Sequence, residues 1–132
     1  MKTKKAIFPG SFDPFTKGHE YIIQKSLDVF DEVIIGIGVN TSKQYLFDLD
    51  KRIAHIQEIY KNNDRVKVST YEGLTTDFCS KVDASHIVRG LRNSIDFEYE
   101  KAIAEMNFMM KKIETVFFMP GDGVGAINSA IG

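Results

Sequence analysis

Short β-branched runs alternate with amphipathic stretches of helix length along the chain, and this alternation limits the fold more than any other feature. Strands are expected near Lys5–Phe8, Glu32–Val39, Arg65–Thr70, His86–Arg89 and Glu114–Met119. A first helix over about Gly18–Phe30 places Ile22, Ile23, Leu27 and Phe30 on one face, and a second over about Asp50–Lys61 does the same with Ile53, Ile56, Ile59 and Tyr60. Asp48 and Asp50 are candidate N-caps of the second helix, with Asn62-Asn63-Asp64 as its stop, and Thr75-Thr76-Asp77 would cap a short third. The longest helix, about Asp96–Lys112, carries Phe97, Ile103, Ala104, Met106 and Met110 among alternating charges. Strands and helices in this order imply right-handed crossovers: an α/β, doubly wound sheet of five mostly parallel strands with helices on both faces. A length of 132 residues suits one core, so a single domain over residues 1–132 is expected.

Charge narrows the ligands. With a formal net charge of -1 the chain has no global attraction for nucleic acid or acidic membranes, so any anion must be bound locally. Cys79 is the sole cysteine, which rules out an intrachain disulfide or a multi-cysteine metal site and suits a reducing cytosol. No apolar run approaches the roughly 18 residues of a membrane span, and Met1-Lys2-Thr3-Lys4-Lys5 leads into a strand too short for a signal-peptide core. A cytoplasmic protein is expected.

Ligands of open parallel sheets collect beyond the carboxyl ends of the strands. The first strand runs into Pro9-Gly10-Ser11-Phe12-Asp13-Pro14-Phe15-Thr16-Lys17-Gly18-His19, a Gly/Pro-rich turn and a helix opening on a histidine, where free N–H groups and the helix dipole face an anion. Asn40-Thr41-Ser42-Lys43 follows the second strand, Tyr71–Thr75 the third, Arg89-Gly90-Leu91-Arg92 the fourth and Pro120–Ser129 the fifth. His19, Lys43, Arg89 and Arg92 thereby reach one edge, an inventory suited to several phosphate groups and to the charge that develops between them. Neither G-x-x-x-x-G-K-[ST] nor G-x-G-x-x-G occurs, which excludes a P-loop kinase and a typical dehydrogenase.

These residues carry a resemblance. Thr16-Lys17-Gly18-His19 is similar to the T/H-x-G-H signature of the nucleotidyltransferase superfamily, and Arg89-Gly90-Leu91-Arg92 with Asp96-Phe97-Glu98-Tyr99-Glu100 and Asn107 resembles the bacterial phosphopantetheine adenylyltransferases, over about Lys5 to Ser129. The resemblance implies a Rossmann-like domain that makes dephospho-coenzyme A and pyrophosphate from ATP and 4′-phosphopantetheine, with magnesium accompanying ATP and a homo-hexameric assembly. It implies His19 as donor to the α-phosphate, Lys43 and Arg89 on the phosphate of phosphopantetheine, and Ser11 in contact with both substrates. Phe12, Gly90, Leu91, Arg92 and Glu100 would serve the nucleotide, Arg92 on its phosphates and Glu100 near the adenosine, while Thr75 and Asn107 would line the pantetheine arm. No carboxylate cluster looks like a dedicated metal cage.

Near its end the chain departs from that pattern. Where the family carries aromatic-x-x-I-S-S-[ST]-x-x-R to cradle the ATP phosphates, this sequence reads Val124, Gly125, Ala126, Ile127, Asn128, Ser129, Ala130, Ile131, Gly132. Asn128 and Ala130 replace hydroxyl residues and no arginine follows, which suggests a shortened or altered ATP element. Two alternatives therefore stand beside the main reading: a nucleotide or coenzyme A binding module without turnover, and another small-substrate nucleotidyltransferase, such as a nicotinamide mononucleotide adenylyltransferase. The latter lack the R-G-L-R-x-x-x-D-F-E-Y-E run.

Blander roles suit the other candidates. Arg89 and Arg92 would simply pair with Asp96 or Glu100 if no ligand were held, and His55 and His86 read as structural or solvated. Lys17, Lys25, Lys51, Lys111 and Lys112 read as solvated charges, Cys79 as a packed small apolar residue, and Met106, Met109 and Met110 as core or subunit interface.

Overall fold

A computed structural model describes residues 3–40, 42–92 and 94–119. The order is β1 (Lys5–Gly10), α1 (Lys17–Leu27), β2 (Glu32–Gly38), α2 (Leu49–Ile59), β3 (Val66–Tyr71), α3 (Thr75–Val82), β4 (His86–Gly90), α4 (Ser94–Lys111) and β5 (Glu114–Phe118). The five strands form one sheet, ordered β3-β2-β1-β4-β5 and parallel throughout. Chain order reverses between β1 and β4, and that reversal opens the crevice in which such sheets bind ligands.

Register shows how the crevice forms. β1 pairs with β2 from Lys5↔Glu32 through Gly10↔Ile37, but with β4 only at Ala6↔His86 and Ile7↔Ile87. Pro and Gly read as a turn that ends β1 at Phe8, but the strand runs to Gly10. It continues because Pro9 turns its carbonyl toward β4, where the ladder has already ended and a missing N–H removes no hydrogen bond.

Alternation along the strands fills two cores. On one face Ala6, Phe8, Val33, Ile35, Ile37 and Val88 pack with Ile22 and Ile23 of α1 and Ile56 of α2. On the other, Ile7, Ile34 and Ile87 pack with Phe78 and Cys79 of α3 and with Ile113. Cys79 is inaccessible, and burial pushes its thiol up to about 11, so it acts as an apolar filler.

Several expectations are corrected. The N-cap of α3 is Leu74, and Thr75-Thr76-Asp77 form its first turn; the Thr75 hydroxyl instead pairs with that of Tyr71 at 2.8 Å. Asp48 caps α2 by backbone geometry without a side-chain bond. Met106, Met109 and Met110 of α4, read as core or subunit interface, are not in the core: they are 58%, 79% and 49% exposed, and the half-buried positions among the described side chains are Glu100, Ala104 and Asn107. Those three lie at helical spacing, so α4 turns Glu100, Ala104 and Asn107 toward the crevice.

Gly36 has a steric reason on the α3 face. A Cβ there would lie 2.9 Å from Phe78 Cε2 and 3.2 Å from Tyr71 Cε1, inside a ring pair stacked at 4.6 Å. Gly36→Ala is expected to destabilise by about 1–3 kcal/mol through overpacking, lowering the melting temperature by roughly 5 °C or more. Thermal unfolding followed by circular dichroism checks it.

Candidate active site

The turn after β1 sets the first functional group. Thr16 is the N-cap of α1, its hydroxyl accepting from the His19 N–H, while its own N–H donates to His19 Nδ1 at 2.9 Å. This is a capping box with histidine in the place usually held by glutamate. Because Nδ1 accepts, the neutral ring carries its proton on Nε2, and that N–H remains as its donor. Phe8, Phe12 and Phe15 surround the imidazole, with ring centroids 5.9, 5.0 and 5.2 Å away. Gly10 permits this packing, since a Cβ at that position would lie 3.0 Å from the Phe12 ring.

His19 is held neutral. Burial, then the Arg89 and Arg92 charges, lower its pKa. Protonation would also put a hydrogen on Nδ1 against the Thr16 N–H. With the folded value depressed, the unfolded chain takes up the proton first, so this stability is present in full above about 6.5 and lost as pH falls through the folded value. NMR titration is expected to show the Nε2-protonated tautomer at neutrality and a His19 midpoint below about 6.5; a midpoint above it would contradict the assignment.

Arg89 occupies the gap where β1 and β4 part. Its Nη1 donates to the Pro9 carbonyl at 2.9 Å, replacing a strand-to-strand bond, and its Nε and Nη2 form a fork on Glu100 at 2.7 and 3.1 Å. The Glu100 side chain is only 12% exposed, against 34% for Arg89. Its carboxylate is therefore committed to the guanidinium, although the resemblance implied adenosine contact.

Three hollows meet at Gly10. The first, about 690 Å³, brings Ser11, Phe12, His19, Arg89, Gly90 and Arg92 together. The second, about 410 Å³, holds Ser11 and Lys43 beside Tyr45 and Tyr71. The third, about 260 Å³, collects Thr75, Arg89, Glu100 and Asn107 under the inner stripe of α4. Arg89 lines the first and third, and Tyr71 the second and third. Implied phosphate and arm contacts of the acceptor thus fall into two adjoining hollows.

Two expected contacts are altered. Phe12 is 3% exposed and its ring belongs to the core, packed against Phe8, Phe15 and His19, although the residue borders the first hollow. Leu91 gives its N–H to the Phe118 carbonyl at 2.9 Å and lines none of the three hollows, whereas Arg89, Gly90 and Arg92 of that turn line the first. Val124, Gly125, Ala126, Ile127, Asn128, Ser129 and Ala130 lie outside the described residues. His55 and His86 line none of the three hollows.

Sequence reasoning passed over Thr16, Asp13, Tyr71 and Arg52 as individual site residues. The first two stand inside the quoted turn, where the i to i+3 spacing of Thr16 and His19 is a capping-box signal. Tyr71 closes β3, a position that marks it for the sheet edge. Arg52 carries no such signal, because a helical arginine among charges reads as solvated.

Comparison with known proteins agrees with this geometry. The cytidylyltransferase-like family model matches residues 7–127. A phosphopantetheine adenylyltransferase of Christiangramia forsetii is 49% identical over 128 residues, covering 97% of this chain and 85% of its own length. One from Flavobacterium psychrophilum is 52% identical over the same shares. Among solved structures, a bifunctional NMN adenylyltransferase/ADP ribose pyrophosphatase from Francisella tularensis superposes with a TM-score of 0.68 at 19% identity, over 89% of this chain and 38% of that one. A lipopolysaccharide core biosynthesis protein from Thermoplasma volcanium gives 0.62 at 18% identity, over 89% and 96%. At such identities these two speak for the shared fold.

Proposed function

The chain belongs to the phosphopantetheine adenylyltransferases within the cytidylyltransferase-like family, and from that premise we propose that it transfers the adenylyl group of ATP to 4′-phosphopantetheine, giving dephospho-coenzyme A and pyrophosphate. The observation that carries this reading is the meeting of a neutral imidazole donor and two guanidinium groups at the splayed end of β1 and β4.

The chemistry asks little of a base. The attacking oxygen belongs to a phosphate that is already anionic; it bonds to the α-phosphorus as the bridge to the β-phosphate breaks and pyrophosphate leaves. Catalysis then rests on bringing two anions together in line and on donors aimed at the oxygens that gain charge. Arg92 and the backbone at Phe12 and Gly90 serve ATP in the first hollow. Ser11 and Lys43 grip the acceptor phosphate in the second, and Thr75 and Asn107 line its arm in the third. Arg89 spans the first and third, where it offsets repulsion between the two phosphate groups, and the His19 Nε2–H serves the α-phosphate. Glu100 acts through Arg89, holding its fork in place. Magnesium, which the resemblance implies as the partner of ATP, would supply charge that offsets its phosphate groups, beside Arg89 and Arg92 of the first hollow.

Assembly and location follow the family. The exposed apolar side of α4, with Met106 and Met109, suits contact between copies of the chain in a homo-hexamer, which light scattering reads directly. No helix among the described residues is long and apolar enough to cross a membrane, in keeping with a cytoplasmic enzyme.

Pyrophosphate release from ATP and magnesium tests the reaction, with 4′-phosphopantetheine compared against nicotinamide mononucleotide. Release with phosphopantetheine alone is expected. Ligand binding without release would leave a binding module, and preference for the mononucleotide would move the chain to another branch of the family.

A further inference from the structure

Arg52 is a charged side chain in α2, only 5% exposed, and it touches both the loop of Ser11 and the loop of Lys43, the two residues proposed to grip the acceptor phosphate. Its Nη1 donates to the Ser11 carbonyl at 2.8 Å and its Nε to the Phe47 carbonyl at 3.0 Å, while its Cζ lies 4.2 Å from the centroid of the Tyr45 ring. From the other side, the Asp13 carboxylate accepts from the Leu46 N–H at 2.5 Å and the Phe47 N–H at 2.7 Å. The loop bearing Lys43 is thus tied to the loop bearing Ser11 by two independent straps. Arg52 itself is anchored by the next turn of α2, where Ile56 is fully buried.

We propose that Arg52 is a positioning residue for adenylyl transfer, setting the separation of Ser11 and Lys43 by holding both of their loops on one planar guanidinium. Burying a guanidinium is costly, and a solvated arginine on α2 would serve helix stability as well. The fork, however, supplies two donors in fixed directions to carbonyls 36 residues apart in sequence, from Ser11 to Phe47. A lysine offers a point charge and reaches one of them. The separation matters because Ser11 and Lys43 line the same hollow, and a misplacement of about 1 Å in a reacting pair costs on the order of a hundredfold.

This inference rests on the proposed reaction, and its test separates the two. Turnover by the unsubstituted chain tests the reaction; amide exchange, which needs no turnover, tests the straps. Arg52→Lys is expected to speed hydrogen exchange at Leu46 and Phe47 with little change in β1 and β2, and to lower kcat/KM for phosphopantetheine about 10- to 100-fold. Made again in a Lys43→Ala background, it should cost less than about twofold, because a positioning effect has no target once the positioned group is gone. Losses that multiply in the two backgrounds, or unchanged exchange at the two amides, would overturn the proposal. Arg52→Gln, whose amide donates to one of the two carbonyls at most, gives the same readouts should Arg52→Lys fold poorly.

Discussion

His19→Ala is expected to lower kcat by a factor on the order of a hundred to a thousand while ATP affinity changes less than about threefold. The asymmetry comes from when the donor is needed. In the ground state the α-phosphate is solvated and held by cations. Charge gathers on its oxygens as the pentacoordinate arrangement forms, and there a neutral Nε2–H in a ring-lined pocket contributes most. The same substitution removes the acceptor of the Thr16 N–H and half of the capping box, costing about 1 kcal/mol of stability. His19→Asn separates the two effects, since its side-chain oxygen can still accept from Thr16. It should recover most of the melting temperature without recovering turnover. Equal losses in binding and none in kcat would remove His19 from the transition state.

Periodicity made the sheet legible. Alternating apolar residues in β1 and β2 divide between two cores, as Ala6, Phe8 against Ile7 and Val33, Ile35 against Ile34 show, and helix faces such as Ile22, Ile23 and Ile56 pack as their spacing implies. Placing His19, Arg89 and Arg92 at one edge required only strand order and the rule that loops at carboxyl ends converge. Less was legible where one signal has two physical meanings. Pro9-Gly10 reads as a turn but continues β1, because Pro9 lies on the side where the ladder has ended. An apolar stripe on α4 announces burial without saying against what, and in the single chain Met109 faces outward. The sequence allows Arg89 either a pairing with Glu100 or a ligand, and only geometry shows that the pairing coexists with a place in two hollows.

The second large effect is expected at that pair. Arg89→Ala should lower kcat/KM by a factor on the order of a thousand, beyond what one lost donor costs, because two changes act together. A cation shared by the first and third hollows disappears, and the Glu100 carboxylate, 12% exposed, loses both hydrogen bonds of its fork and turns an uncompensated negative charge toward phosphate groups. Glu100→Gln alone keeps one acceptor for Arg89 while it removes the charge and the second arm of the fork, so its effect should be the smaller, about tenfold. The combination decides the argument by its sign: adding Glu100→Gln to Arg89→Ala should raise kcat/KM and melting temperature above those of Arg89→Ala. If the double variant is slower than Arg89→Ala, Glu100 holds the ligand directly, as first expected from the resemblance. If it is faster, the carboxylate serves to aim the guanidinium, and its charge harms the reaction once that guanidinium is gone.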